Sequence, residues 1–387
     1  MDCHKKKNGN RLTLSGSFFR AIFLAEILFL SCLALSCRAK NPVSQTCNAL
    51  GTVCSVRIPE GASMVVYEQL FSRLEQIENE MSSSLPESEI SILNNAILTS
   101  EDGKIDDFLV SEDVFCVLQC ALEIAELTDG AFDPTIGSLV KLWDINNRVN
   151  LNEQKPLPSE QEIFFATKST DYRVLKLNSE KHSVSIDSSS SVSYRPQIEL
   201  GGIAKGFAAD ELVKILKENE INHAIIDLGG NIYAFGAKSV NPENDEVELP
   251  WRIGIKNPKI FGEELNGELN EELNSQVIAI LECVDKSVVT SGGYERYFEK
   301  DGKIYHHILD CKTGYPAESD LISTTIICPS SMLADSLSTS CFVLGSEKAK
   351  KIMTNFSSVN YVFVKNDWEV ITNCTDELTL FGAKAEK

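Results

Sequence analysis

Twelve cysteines are spread along the chain without a single Cys-x-x-Cys pair. Neither a zinc ribbon nor a thioredoxin-like redox pair therefore has a framework. Positive charge is also scarce. With 36 Lys and Arg against 56 Asp and Glu, the formal net charge is −20, and such a surface repels nucleic acid. No repeat of the roughly 20 to 50 residues that build solenoids and propellers is present. The glycine-rich stretches match neither a Walker loop nor the dinucleotide pattern GxGxxG.

What is present begins with length, because 387 residues can bury a sizeable core as one large or two ordinary domains. At the N-terminus Lys5, Lys6, Lys7, Arg11 and Arg20 precede an apolar run from Ile27 to Leu35 that ends at Ser36 and Cys37. This reads as a secretory signal over residues 1–36 of the bacterial lipoprotein type, with Cys37 as the lipidated first residue. Ser31 with Cys32 is a rival site. The alternative is a single membrane anchor, although the run is shorter than the ~20 residues of a spanning helix. Either way the expected location is the periplasmic face of the inner membrane. Removing residues 1–36 leaves a formal charge of −23. Most cysteines read as buried thiols, and Cys116 with Cys120 falls on a helical pattern like core residues.

A linker is expected over residues 37–46, followed by one domain over 47–387. Within it Gly51 to Ile58 reads as a strand, Ser63 to Met81 as an amphipathic helix, and Ser111 to Thr128 as a helix with a serine cap. Strands are predicted at Gln197 to Leu200, His223 to Leu228, Arg252 to Lys256 and Gln276 to Cys283. Val288 to Phe298 and the His306–His307 pair are predicted on two strands joined at Lys300 to Lys303. A serine run from Asp187 to Ser193 marks a loop, and the acidic low-complexity stretch near 261–276 marks an exposed insertion.

Several short runs carry chemistry. In LADSLSTSCFVLG, Asp335 and Thr339 are four apart at helical spacing, so both oxygens project from one face. Such a sparse set suits magnesium, which completes its octahedron with water and substrate phosphates. The structural alternative is an acid near a helix start and a threonine bonded back to its own helix. In IELGGIAKGFAADELVKIL, Gly201 and Gly202 end a predicted strand and Ala204 opens a helix. That arrangement lets amides and Lys205 approach a phosphate, or it is a tight turn. In TDGAFDPTIG, Asp133 precedes Pro134, which predicts an extended turn with an exposed carboxylate. One of His306 and His307 could serve as a base, because imidazole titrates near neutrality.

Taken together and in order, GAFDPT, LGGIAKGFAAD, DLGGN, TSGGY, HHILDCKTGYP and ADSLST resemble the motif set of the ApbE family, the FAD-dependent protein flavinyltransferases. The resemblance spans Cys47 to Gly345. It implies an α+β fold, a single T-fold-like domain of mixed strands and helices. It implies that FAD is split at its pyrophosphate, that FMN passes to a Thr or Ser hydroxyl of a partner protein, that AMP is released, and that magnesium is required. It also implies acceptors among extracytoplasmic subunits of redox pumps of the Rnf or Nqr type.

Carried over residue by residue, the resemblance puts metal ligands at Asp335, Thr339 and the backbone carbonyl of Ala204. It puts flavin and phosphate contacts at Leu50, Ser84, Ala131, Phe132, Asp133, Gly201, Gly202, Lys205, Thr290, Ser291, Gly292, Leu309 and Asp310. The base falls on His307 rather than His306. The chain departs from the family pattern at Glu199, Gly293, Cys311 and Leu50. A fifth departure bears on function, because in MSSSLPES the residue Ser84 stands where a tyrosine usually stacks on the flavin. Without that aromatic face, hydrolysis of FAD to FMN and AMP is the rival activity. A flavin-binding lipoprotein without turnover is the third reading.

Overall fold

The computed structural model describes residues 42–150, 155–188, 195–239, 248–258, 276–375, 377–381 and 385–386. The signal segment, Cys37, most of the serine run and the acidic insertion up to residue 275 lie outside them. A compact unit begins at Pro42. Its organising element is a nine-stranded sheet whose strands follow one another in chain order. They are β1 (Ser44–Ala49), β2 (Thr52–Arg57), β3 (Ala224–Leu228), β4 (Asn231–Phe235), β5 (Lys286–Gly292), β6 (Leu321–Cys328), β7 (Asn360–Lys365), β8 (Val370–Thr372) and β9 (Ala385–Glu386). Each neighbouring pair is antiparallel except β8 and β9.

Successive side chains of a strand point to opposite faces, and here they feed two different cores. Val289, Ile326 and Phe363 join the larger core, whereas their neighbours Val288, Ile327 and Val362 join the smaller one. The larger core is closed by helices, among them α1 (Met64–Met81), α2 (Glu89–Thr99) and α3 (Glu112–Leu127). The smaller core is closed by a three-stranded sheet of Trp251–Lys256, Val277–Cys283 and Leu378–Leu380. Mixed helices and sheets in these layers make the fold α+β.

Helix α1 buries Tyr67, Leu70, Leu74, Ile77 and Met81, the i, i+3, i+4 pattern visible in its sequence. Ser111 caps α3 by accepting the Val114 amide at 3.3 Å. Along the chain follow α4 (Gly137–Trp143), α5 (Ile145–Asn150), α6 (Glu160–Lys168), α7 (Ala204–Glu218), α8 (Ser331–Leu344) and α9 (Ser346–Met353). The hairpin of Tyr297–Lys300 and Lys303–His306 turns at Asp301 and Gly302, both at positive φ. That is the geometry of a tight two-residue hairpin loop.

Four expectations need correction. Ser44 to Thr46, read as the end of a linker, open β1. Gln197 to Leu200 forms no strand and makes one isolated bridge, Ile136 to Gln197. Its backbone groups are satisfied elsewhere, since the Asn94 side chain takes both the amide (2.6 Å) and the carbonyl (2.9 Å) of Ile198. Cys116 is exposed on the outer flank of α3 rather than in the core, whereas Cys120 is half-buried and packs against the larger core as expected. The Asp133 carboxylate is buried, as set out below. The nine cysteines among the described residues are all free thiols.

Candidate active site

The site is assembled where α7 meets α8. Asp210 of α7 holds the N-terminus of α8, accepting the Ser331 and Met332 amides at 2.8 and 3.0 Å and the Ser330 hydroxyl at 3.1 Å. One turn closer to the start of α7, the Gly206 amide donates to Asp335 Oδ2 at 3.0 Å. The helices touch so closely here that a Cβ on Gly206 would lie 2.3 Å from the Ser331 carbonyl oxygen. Only glycine fits. On the next turn, a Cβ placed on Gly202 would sit 3.5 Å from Thr339 Oγ1. Asp335 and Thr339 therefore bracket the segment Gly202 to Gly206, which includes Ala204.

The structural alternative for the α8 oxygens is tested by its serines. Ser336, Ser338 and Ser340 each bond back to a carbonyl of their own helix. Thr339 makes no such bond among the described residues and instead approaches Ser291 Oγ at 3.5 Å. Its hydroxyl is thus directed out of the helix. One buried carboxylate and one hydroxyl face this segment, and with the Ala204 carbonyl that the resemblance implies they would make a hard, oxygen-only donor set. No cluster of three His, Cys, Asp or Glu able to hold a metal exists among the described residues. A transition-metal centre is poorly served by these donors, whereas magnesium fits them.

Beside this junction lies a cleft of about 710 Å³. Of the expected residues, Leu50, Ser84, Gly201, Ala204, Lys205, His307 and Leu309 line it. Leu50 reaches it from the tight β1–β2 turn, at positive φ with Gly51. Ser84 sits in the loop after α1, its amide accepted by Ser82 Oγ at 3.2 Å. Glu199, where the family pattern has aspartate, accepts the Gly201 amide at 2.8 Å and also the Ser83 hydroxyl. It ties the serine loop to the glycine turn.

The remaining expected residues are not among those lining this cleft. Ala131 and Phe132 are buried, and the Phe132 ring backs Gly202, 3.2 Å from where a Cβ would be. The Asp133 carboxylate, expected to be exposed, is only 6 % exposed. Asp133 Oδ1 accepts the Thr135 amide (2.8 Å) and hydroxyl (2.7 Å), and Oδ2 accepts the Tyr172 amide at 2.9 Å. Proline fixed the turn, but the turn folded inward on its own hydrogen bonds. Burial raises this carboxyl above its ordinary value despite those bonds. Thr290 pairs with Thr325 at 2.8 Å, Ser291 with Ser338 at 2.8 Å, and Gly292 packs on the Tyr294 ring. Asp310 Oδ1 accepts the Lys312 amide at 2.8 Å and closes the Asp310–Gly314 turn.

The two histidines separate cleanly. His306 faces a second depression, its Nε2 3.1 Å from the Ala317 carbonyl and its ring edge-on to Phe342. His307 faces the cleft. Its backbone amide donates to the Arg296 carbonyl at 3.1 Å and its Nδ1 lies 3.2 Å from the same oxygen. A carbonyl can only accept, so Nδ1 carries the proton and Nε2 keeps its lone pair. Burial first, then the Arg296 charge, pushes His307 down to about 3. It is neutral at physiological pH. Arg296 also lines the cleft, with Nη1 3.4 Å from Asn146 Oδ1. Neither Arg296 nor Asp210 was singled out from sequence, because only their long-range partners mark them.

A model of the ApbE family matches residues 50–363. The chain belongs to the ApbE family. Among its ApbE relatives, a protein of Treponema pallidum named FAD:protein FMN transferase is 33 % identical over 358 residues, 90 % of this chain and 92 % of that one. One of the same name from Klebsiella pneumoniae is 31 % identical over 310 residues, 80 % of this chain and 85 % of that one. Among solved ApbE structures, the Thermotoga maritima protein superposes with a TM-score of 0.67 at 30 % identity, covering 84 % of this chain and 95 % of that one. The Vibrio cholerae protein, described as a flavin transferase, gives 0.66 at 25 % identity, covering 88 % and 97 %.

Proposed function

We propose that this ApbE-family chain is a FAD:protein FMN transferase that moves FMN from FAD to a Thr or Ser hydroxyl of a partner protein and releases AMP. The observation that carries the reading is His307, held neutral with Nδ1–H fixed, in one cleft with Lys205 and the start of α7. In the reaction the acceptor oxygen attacks the FMN phosphorus, the P–O bond to AMP breaks, and the hydroxyl proton goes to His307 Nε2. A histidine with so low an affinity for protons is a poor base alone. The negative diphosphate beside it raises that affinity, as any nearby anion does for an imidazolium. Lys205 and Arg296 supply positive charge to the phosphates, and the glycine turn at Gly201 and Gly202 lets backbone approach them. Asp335, Thr339 and the Ala204 carbonyl would hold magnesium, which when bound neutralises charge on the diphosphate.

The same reading takes the chain as a lipoprotein anchored at Cys37 to the inner membrane and facing the periplasm. Its acceptors are subunits of redox pumps of the Rnf or Nqr type. The test is mass spectrometry of a candidate acceptor incubated with the protein, FAD and magnesium. Addition of one FMN to a Thr or Ser supports the proposal, and an unmodified acceptor with FAD intact removes it. Hydrolysis of FAD without acceptor is a second reading favoured by one observation. Among the described residues lining the cleft, none is Phe, Tyr or Trp, so no such ring is placed to hold FMN after AMP has left. AMP and free FMN without modified acceptor would establish it.

A further inference from the structure

Lys205 stands in two environments at once. Its side chain lines the cleft with His307, yet its Nζ lies 3.5 Å from Asp335 Oδ2 and donates to the Gly201 carbonyl at 3.1 Å. It is therefore folded back over the first turn of α7, against the carboxylate expected to hold the metal. The Gly206 amide donates to that same Oδ2 at 3.0 Å. One carboxylate oxygen thus meets two donors, one of them a full positive charge. A dication on Asp335 and an ammonium held this close repel each other, more strongly because Asp335 is only 3 % exposed and water screens the pair little. Gly206 Nα is fixed in the helix and cannot leave. Lys205 can, because its ammonium ends four rotatable carbons and its side chain is 23 % exposed toward the cleft.

We propose that Lys205 is a two-position positioning residue: it neutralises Asp335 until a divalent cation binds there, and is then displaced into the cleft to meet the substrate diphosphate. The inference rests on the function proposed above and adds a coupling to it. Metal expels the lysine from Asp335, and the expelled lysine becomes the phosphate ligand. Metal and diphosphate therefore bind with positive cooperativity beyond any direct bond between them, and the coupling is reciprocal. A lysine that merely touched phosphate would show no effect on metal binding without nucleotide.

That difference defines the experiment. The full chain, free of flavin nucleotide, is titrated with MnCl₂ alone by calorimetry, as wild type, Lys205→Met, Lys205→Arg and Asp335→Asn. The expected result is that Lys205→Met binds Mn²⁺ roughly tenfold tighter than wild type, within the usual span of site-to-site couplings. Lys205→Arg keeps the charge and should bind close to wild type. With Mn²⁺ saturating, ADP as the diphosphate probe should bind more weakly to Lys205→Met. Equal Mn²⁺ affinity in Lys205→Met and wild type overturns the proposal, as does equal tightening in Lys205→Arg. Asp335→Asn separates the two levels of inference. If it loses Mn²⁺ while Lys205→Met matches wild type, only the switch fails. If it binds Mn²⁺ as wild type does, the metal assignment itself fails and takes the switch with it.

Discussion

His307 and Arg296 are joined twice through one atom: the Arg296 carbonyl oxygen accepts the His307 amide at 3.1 Å and faces its Nδ1 at 3.2 Å. The backbone bond aligns the strand and the side-chain bond sets the tautomer. A hairpin that turns at Asp301 and Gly302 thereby delivers an imidazole with its Nε2 lone pair available. Orientation of this imidazole is a backbone property here, insensitive to the residue at 296.

Replacing His307 with Gln should lower the rate of AMP release about 10²- to 10⁴-fold, the usual worth of a positioned base. FAD affinity should change little. Stopped-assay AMP analysis alongside a flavin fluorescence titration checks both. A loss that appears mainly in affinity would make His307 a binding residue instead.

The same histidine predicts a pH dependence of stability. Its ordinary value is 6.5 and in the fold it is pushed down to about 3 by burial. Between those values the unfolded chain binds a proton that the folded one refuses, so stability falls as pH falls. Its contribution is complete above about 6.5 and is lost progressively toward 3. Urea denaturation at pH 7.5 and 5.0 should show a larger loss for wild type than for His307→Asn. Parallel losses would place the dependence elsewhere.

Gly206→Ala should be strongly destabilising for so small a change. The new methyl meets the Ser331 carbonyl oxygen at 2.3 Å and the Met332 Cα at 2.7 Å, both backbone atoms that cannot step aside. Overpacking of this kind costs about 1–3 kcal/mol. Separating α7 from α8 should also weaken metal-dependent turnover, because Gly206 N and Asp335 Oδ2 part. Chemical denaturation and the magnesium concentration giving half-maximal rate measure the two effects.

Ser84→Tyr restores an aromatic face to the cleft. Ring stacking adds about 0.5–1.5 kcal/mol beyond area burial, so flavin should bind roughly 2- to 12-fold tighter. Release of FMN and AMP without acceptor should slow. Unchanged hydrolysis with tighter binding would show that flavin release does not limit that activity.

Much of this was legible because it is local. Helices α1 and α3 declare themselves by apolar spacing, and α3 also by Ser111 at its start. Asp335 and Thr339 need only helical periodicity to share a face. Gln197 to Leu200 reads as a strand because it alternates polar and apolar residues and ends at glycine, while its true partner is the Asn94 side chain far back in the chain. The Asp133 turn was misread for the same reason, since Tyr172 closes it. Arg296 and Asp210 gained meaning only when the hairpin and the two helices came together. The choice of His307 over His306 rests on family resemblance, and the structure puts the two histidines, one at the end of the hairpin strand and one just past it, in different hollows.

In the nine-stranded sheet, position across the sheet equals order along the chain, with one long excursion between β2, ending at Arg57, and β3, starting at Ala224. Each later strand can add to a neighbour made shortly before, but the β2–β3 seam must wait for the whole excursion, which carries α1 to α7. Closing so distant a pair is entropically slow. The cleft is lined both by the β1–β2 turn and by the start of α7 and the residues flanking the later hairpin. Ligand-binding competence should therefore emerge late in folding, in step with that seam, and a refolding chain should regain most of its helical signal before it can hold flavin.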